Sequence, residues 1–121
     1  MNQNETKRPV LDCLIKRDLA GITFVRDYIQ FLFDGPVLNA YTLPSVKTAK
    51  GMFDSKTPGY RDALCGLIGK GVTATHEEPK VRISIQFADG ASVEVSLKDE
   101  DRVCSEAAML QTDSAKNWNV W

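Results

Sequence analysis

Internal similarity constrains the fold of this chain most strongly, because one short pattern occurs twice along it. Leu19-Ala20-Gly21 is echoed by Leu67-Ile68-Gly69. Further along, Phe33-Asp34-Gly35 is echoed by Ala88-Asp89-Gly90, and each Asp-Gly pair stands between two strand-like runs, as in a β-hairpin. Two copies are too few for a solenoid. We therefore expect two related units at about residues 9–44 and 57–98, a linker at 45–56, and a C-terminal helix and tail at 99–121.

Each unit opens with apolar residues at helical spacing. In the second unit the stripe runs from Tyr60 to Ile68, and we expect Gly69 to end the helix because glycine readily adopts positive φ. In the first unit the stripe begins at Val10, and Gly21 is expected to take the same role. A third short helix is predicted over 102–111.

The alternation of apolar residues in the second hairpin predicts the type of turn that joins its strands. Apolar residues stand at odd positions on both of its strands, 81–87 and 93–97. A two-residue turn would place each odd residue opposite an even one and bring Glu94 into the core. A three-residue loop with Gly90 in the left-handed position instead pairs Phe87 with Ala91 and Ile85 with Val93.

The same register, applied to the first hairpin, gives a hairpin that is apolar on both faces. It places Leu32, Leu38 and Ala40 towards the core. The second hairpin carries mainly serine, glutamine and glutamate on its outer face, whereas the first would expose a mostly apolar set: Ile29, Phe31, Val37, Asn39 and Tyr41.

These elements predict one α+β domain over residues 1–121. The two helix–strand–β-hairpin units would form a mainly antiparallel sheet or a partly open barrel, with short helices packed on it. A chain of 121 residues is near the usual size of one domain.

Composition excludes several classes of protein. The net charge is -1 and the basic residues are scattered, which disfavours a nucleic-acid-binding protein. The least polar stretch, 28–46, is broken by glycine and proline, so we expect no membrane span. Three dispersed cysteines favour reduced thiols, and the first nine residues lack the apolar segment of a secretory signal. We therefore expect a cytoplasmic location.

The sequence contains no recognisable catalytic or metal-binding motif. His76 is the only histidine, and Lys80 stands where a zinc-protease helix would have its second one. No Gly-x-Ser-x-Gly elbow occurs either. We therefore expect no catalytic residues, no metal and no cofactor.

The paired motifs resemble a family of uncharacterised small bacterial domains. Its pattern is a Leu-x-Gly, a strand, an apolar-acidic-Gly hairpin and a return strand, here at Leu19–Gly35 and Leu67–Gly90. The resemblance covers most of residues 10–110 and implies no catalytic residues. The chain departs from the pattern in the 45–56 connection and in the tail that carries Trp118 and Trp121.

The apolar outer face of the first hairpin needs a cover, because large exposed apolar patches are rare on monomers. The cover is either the chain itself, through its N-terminal helix, 103–110 or the tryptophan tail, or another molecule. On the second reading we expect a non-catalytic protein-binding module, whose most specific form is an immunity protein that neutralises a toxin enzyme, or a homodimer. Its binding residues would be Ile29, Phe31, Val37, Tyr41, Trp118 and Trp121.

An alternative hypothesis is a small-ligand-binding protein or an enzyme. Its site would lie between the two units and would be assembled from His76, Glu77, Asp99 or Cys104.

Overall fold

A computed structural model describes residues 10–112 and 118–121. The predicted start of the first unit at residue 9 and the tail residues 113–117 lie outside this part. The elements in chain order are η1 (Val10–Leu14), β1 (Leu19–Phe24), β2 (Ile29–Phe33), β3 (Val37–Ala40), β4 (Ser45–Thr48), β5 (Gly51–Phe53), α1 (Tyr60–Cys65), β6 (Val72–Glu78), β7 (Arg82–Phe87), β8 (Ser92–Ser96), η2 (Asp99–Asp101), β9 (Ala108–Gln111) and β10 (Trp118–Val120), where η denotes a 3-10 helix.

The strands form two five-stranded antiparallel sheets. The first sheet has the order β1-β2-β3-β9-β10, and the second has the order β5-β4-β8-β7-β6. Each sheet therefore contains a three-stranded meander from one half of the chain and a hairpin from the other half. The sheets do not close into a barrel, and the fold is mainly β.

The expected mainly antiparallel sheet structure is confirmed, but the α+β class is not. The helix predicted from Tyr60 is present as α1, but it ends at Cys65 with Gly66 as its C-cap, so the predicted helix stop at Gly69 is wrong. The helix predicted over 102–111 is wrong, because Ala108–Gln111 forms β9, which pairs with β3 and β10. The predicted linker 45–56 contains β4 and β5. No described helix is long and apolar enough to cross a membrane.

The two Asp-Gly turns differ by one residue. In the second hairpin Ile85 pairs with Val93, and Phe87 N–H donates to Ala91 O across the three-residue loop, at 2.8 Å, which confirms the predicted register. In the first hairpin Phe33 N–H donates to Pro36 O at 2.9 Å, so only Asp34 and Gly35 form the turn.

This shorter turn corrects the predicted faces of the first hairpin. An odd residue now stands opposite an even one, and Phe31 pairs with Leu38 on the core side. Ile29 and Phe31 are 3% and 1% exposed, so their predicted position on an outer face is wrong. Leu32, predicted in the core, lies on the outer face instead, opposite Val37.

One hydrophobic core lies between the two sheets. Its largest fully buried side chains come from both sheets and from η1 and α1, and include Phe31, Leu38, Ile83, Ile85, Leu11, Leu14, Leu64 and Leu67. Leu11 and Leu14 of η1, Leu64 of α1 and Leu67, which follows α1, thus all belong to this core.

Backbone hydrogen bonds join the two halves of the chain at a seam between the starts of β1 and β6. Lys16 N–H donates to Val72 O at 2.9 Å, and Gly69 N–H donates to Leu19 O at 2.7 Å. Leu19 and Val72 donate in return to Lys70 O (3.0 Å) and Arg17 O (2.9 Å) respectively. Asp18 and Gly71 form a bridge at the centre of this pattern.

Each half enters the seam through a residue with a left-handed backbone. Lys16 has φ 74° and Gly69 has φ 93°. The predicted helix stop at Gly21 is therefore wrong: Gly21 lies within β1, and the turn after η1 is made at Lys16. The adjacent basic residues then anchor the hairpin turns, because Arg17 donates to Asp34 O and Lys70 pairs with the Asp89 carboxylate.

The buried position of Phe31 predicts a large loss of stability on truncation. Phe31→Ala should lower the free energy of unfolding by about 3–5 kcal/mol because it leaves a cavity in the core. Val37→Ala, on the outer face, should cost about 1 kcal/mol or less. Urea titration of both variants measures the difference, and equal costs would place Phe31 outside the core.

The raised pKa of Tyr60 implies that the free energy of unfolding falls at alkaline pH. Its hydroxyl donates to Pro44 O, and burial raises its pKa from 10.0 to about 12. Between these two pKa values the unfolded chain releases the hydroxyl proton of Tyr60, whereas the folded chain retains it. The contribution of this group to the free energy of unfolding is therefore complete below the lower pKa and is lost as pH rises.

Tyr60→Phe should lower the free energy of unfolding at neutral pH by about 1 kcal/mol, because Pro44 O loses its donor. Above the pKa of a free tyrosine the deficit should shrink, since the variant has no proton to lose at this position. Urea unfolding at neutral and alkaline pH compares the two proteins. A deficit that is constant across this range would contradict the assignment.

Candidate functional site

The outer face of the first sheet carries apolar side chains across four of its five strands. Alternation along β2 and β3 turns Leu32 and Val37 away from the core, and these residues stand opposite each other. The row continues through Gln111 to Trp118 on the edge strand β10. A neighbouring row runs from Asn39 through Met109 to Val120. We call the following set the apolar face: Leu32, Val37, Tyr41, Met109, Trp118 and Val120.

Exposure increases towards the edge of the sheet. Leu32, Val37 and Met109 are half-buried, whereas Trp118 is 61% exposed and Val120 is 43% exposed. The apolar face is therefore covered least at β10 within the described part of the chain.

A cleft of about 540 Å³ lies at one end of the apolar face. The rings of Tyr28 and Tyr41 form part of its wall, with centroids 5.1 Å apart and planes tilted by 58°. Leu43 and Val103 are 45% and 76% exposed at this cleft. Its remaining lining residues are Arg26, Asp27 and Cys104. Both an aromatic surface and charges of each sign are thus available to a bound molecule.

Asn39 is a buried polar group in the middle of this face. It is 8% exposed, and its Nδ2 donates to the Tyr41 hydroxyl at 3.4 Å. Its Oδ1 has no hydrogen-bond partner among the described residues. The contact links Asn39 to Tyr41, which forms part of the wall of the cleft.

The outer face of the second sheet provides an internal comparison. There Gln86, Ser92 and Lys47 occupy the row that corresponds to Leu32, Val37 and Gln111, and Met52 stands at the position of Trp118. In the next row Ser84, Glu94 and Ser45 stand where Gln30, Asn39 and Met109 stand in the first sheet. Apart from Met52, these positions are polar in the second sheet, whereas the first sheet has apolar side chains at four of them: Leu32, Val37, Met109 and Trp118.

Three of the six predicted binding residues lie together on the outer face of the first sheet: Val37, Tyr41 and Trp118. Ile29 and Phe31 are core residues. Trp121 is half-buried against the core, and its backbone bonds to Ala107 and Ala108 hold it beside β9, at 2.7 and 2.9 Å.

Sequence reasoning missed Leu32, Met109 and Val120 as members of this face. A two-residue turn at Asp34-Gly35 would have placed Leu32 on the outer face. Compared with a three-residue loop, it moves every side chain of β2 to the other face of the sheet. Met109 and Val120 follow from the pairing of β9 with β3 and β10, which has no local sequence signal.

The residues of the alternative site are not brought together. His76 is exposed on the edge strand β6 opposite Ser84, whereas Cys104 lines the cleft beside Tyr28. Asp99 lies in η2, with its carboxylate 3.7 Å from Arg102 Nε. The described residues contain no group of three or more His, Cys, Asp or Glu side chains that is suited to a metal.

Another cleft, of about 480 Å³, lies between the β4–β5 hairpin, α1 and the turn after β7. Phe53 and Ala63 contribute apolar walls, and the charged pair Lys70–Asp89 lies at its rim. The Lys70 hydrogen bond lowers the pKa of Asp89 below its ordinary value, so this carboxylate stays ionised beside its partner. None of the four residues proposed for the alternative site lines this cleft.

Comparison with known proteins gives no match: neither a protein-family model nor a curated protein nor a solved structure is similar to this chain.

The two tryptophans should be distinguishable by fluorescence. Trp118 is 61% exposed, and Trp121 is half-buried against the core. Replacing Trp118 by Phe should leave a spectrum at shorter wavelength with a smaller acrylamide quenching constant, because only Trp121 then emits. Trp121→Phe should change both quantities in the opposite direction. If both variants quench equally, the two side chains are not placed as described.

Proposed function

We propose that this protein is a non-catalytic protein-binding module and that the apolar face is its binding surface. One observation carries the proposal: among the described residues the two sheets have the same strand plan, yet the outer face of the first has more apolar side chains than that of the second. The second sheet shows that polar side chains are compatible with this backbone. Folding alone therefore does not require Leu32, Val37 and Met109 to be apolar, because their counterparts are Gln86, Ser92 and Ser45, and this supports selection for a contact.

The composition of the face also supports a protein partner. Tryptophan and tyrosine contribute much of the energy at protein interfaces, and Trp118 and Tyr41 stand at opposite ends of this surface. The cleft beside Tyr41 offers a pocket for a side chain of the partner. Arg26 and Asp27 border this cleft and supply charges of the kind found at an interface rim.

An immunity-type protein that neutralises a toxin enzyme is the most specific form of this proposal. The exposed acidic run Asp99–Asp101 precedes Val103, which lines the cleft. A partner with a basic surface beside an apolar patch would complement this arrangement.

We also infer that the fold consists of two units of one plan, each with a helical turn, a three-stranded meander and a hairpin that joins the other unit's sheet. The matching strand orders and the reciprocal seam bonds support this inference. Each meander also has a register shift near its start, at Leu19/Gly21 and at Val72/Ala74. The units are longer than 9–44 and 57–98, because they include the two exchanged hairpins.

A pair of matched variants tests the binding surface. Trp118 and Met52 occupy corresponding edge-strand positions and are 61% and 59% exposed. Tagged wild-type protein and the variants Trp118→Ser and Met52→Ser are expressed in the native host, cross-linked and recovered, and the captured partner is identified and quantified.

Trp118→Ser should reduce binding of the purified partner by about tenfold or more, as expected for an interface tryptophan. Met52→Ser should bind as the wild type does. Circular dichroism and urea unfolding control for folding. Equal binding by all three proteins, or a loss with Met52→Ser alone, would contradict the assignment of the surface.

A further inference from the structure

Among the described strands, β10 has an unpaired outer edge that lacks most of the features that usually protect such an edge. Sheet edges usually carry a charge, a proline, a bulge or a cover that prevents pairing with another chain. Within 10–112 and 118–121, no strand pairs with the outer side of β10. Its residues Trp118, Asn119 and Val120 include no charge, glycine or proline, and its pairing with β9 has no register shift.

The other three sheet edges are protected. The edge strand β6 carries Glu77 and Glu78 and has a register shift near Val72. The edge strand β1 also has a register shift, and its start is bonded into the seam. The edge strand β5 begins at Gly51 with φ 129° and is followed directly by Asp54. The contrast makes β10 the edge best suited to an added strand.

Hydrogen bonding within the first sheet identifies the free backbone groups of β10. Trp121 N–H donates to Ala108 O at 2.9 Å, and the two residues are opposite each other in the register of β9 and β10. Bonded and non-bonded pairs alternate along an antiparallel ladder. Asn119 therefore bonds to Leu110, whereas the N–H and C=O groups of Trp118 and Val120 point away from β9.

We propose that a second copy of this chain pairs with β10, antiparallel and about a two-fold axis at Asn119. In this register the Trp118 of one copy lies opposite the Val120 of the other, and the free backbone groups of both residues bond reciprocally. Registers centred on Trp118 or on Val120 would use only one of the two residues in each copy. The edge is thus complementary to itself, as a two-fold interface requires.

The side chains support the same arrangement. Trp118 and Val120 both project to the outer face, so each indole would pack across the junction on a valine, an aromatic–β-branched pair that is favourable between neighbouring strands. The two-fold axis is perpendicular to the sheet and places both apolar faces on the same side of one continuous sheet. This inference does not rest on the proposed function, because it concerns the sheet edge instead of the sheet face.

The expected dimer is reversible. A ladder of three residues with two Trp–Val contacts is small compared with permanent interfaces. Sedimentation velocity over a range of protein concentrations should therefore show a monomer that converts to a dimer as the concentration rises.

Val120→Pro separates edge pairing from folding. It removes an N–H that points away from β9, at an edge where proline is tolerated. The variant should raise the dimer dissociation constant by about tenfold or more, while Val120→Thr, which keeps the N–H and the branched shape, should raise it less. Val37→Ser, on the face away from the edge, should leave it unchanged.

Amide hydrogen exchange of the wild-type protein tests the same claim without a variant. Protection of the Val120 and Trp118 amides should increase with protein concentration, whereas that of Asn119 should not, since it is already bonded within the sheet. A monomer at every concentration, or a dimer that Val120→Pro leaves intact and Val37→Ser weakens, overturns the proposal. Protection of the Val120 amide that does not change with protein concentration would also overturn the proposal.

Discussion

The backbone seam between the starts of β1 and β6 determines how the rest of the molecule is arranged. Lys16 and Gly69 each turn the chain with a left-handed backbone, and the following residues exchange hydrogen bonds across the bridge at Asp18 and Gly71. These bonds hold one edge of each sheet against the other. The leucines of η1 and α1 lie just before the seam, so the same connection directs both helical turns onto the core. The seam thus sets which face of each sheet is inside.

Given the seam, the length of each hairpin turn decides which side chains reach the solvent. The second hairpin was predictable because strict alternation on both strands allows only a three-residue loop. The first was not predicted correctly, because its register was transferred from the second. Phe33 and Pro36 flank a turn that is one residue shorter, and this difference exchanges the two faces of β2. With a two-residue turn, the alternation of Ile29, Phe31 and Phe33 places these three side chains on the buried face of β2.

Strand β9 could not be predicted from its local sequence, for a different reason. The spacing of apolar residues in 102–111 fits a helix, but pairing with β3 and β10 makes Ala108–Gln111 a strand. Short apolar runs are ambiguous between the two structures, and only distant partners decide. The sequence motifs Leu19-Ala20-Gly21 and Leu67-Ile68-Gly69 do not occupy corresponding places in the seam. In the seam Leu14 and Lys16 match Leu67 and Gly69, whereas Leu19 matches Val72.

The two sheets of this molecule differ in the chemistry of their outer faces. Both outer faces are built on the same strand plan, and the polar one demonstrates what the fold tolerates. Under the proposed function, a binding partner covers Trp118 and Val120, which are otherwise exposed to water at the edge of this face. Cross-strand pairing brings Val37 and Trp118 onto this surface with residues that the sequence did not single out, because a sheet face is assembled from strands that are far apart in the chain.

Carbene footprinting in the native host tests the central claim most directly, because it compares solvent access at both outer faces inside the cell and in purified monomer. The account predicts lower labelling in the cell at Val37, Tyr41 and Met109 of the first sheet. Labelling of Ser92 and Met52 on the second sheet should remain the same in both samples. Equal labelling of the first sheet in the two samples, or protection confined to the second sheet, would contradict the account.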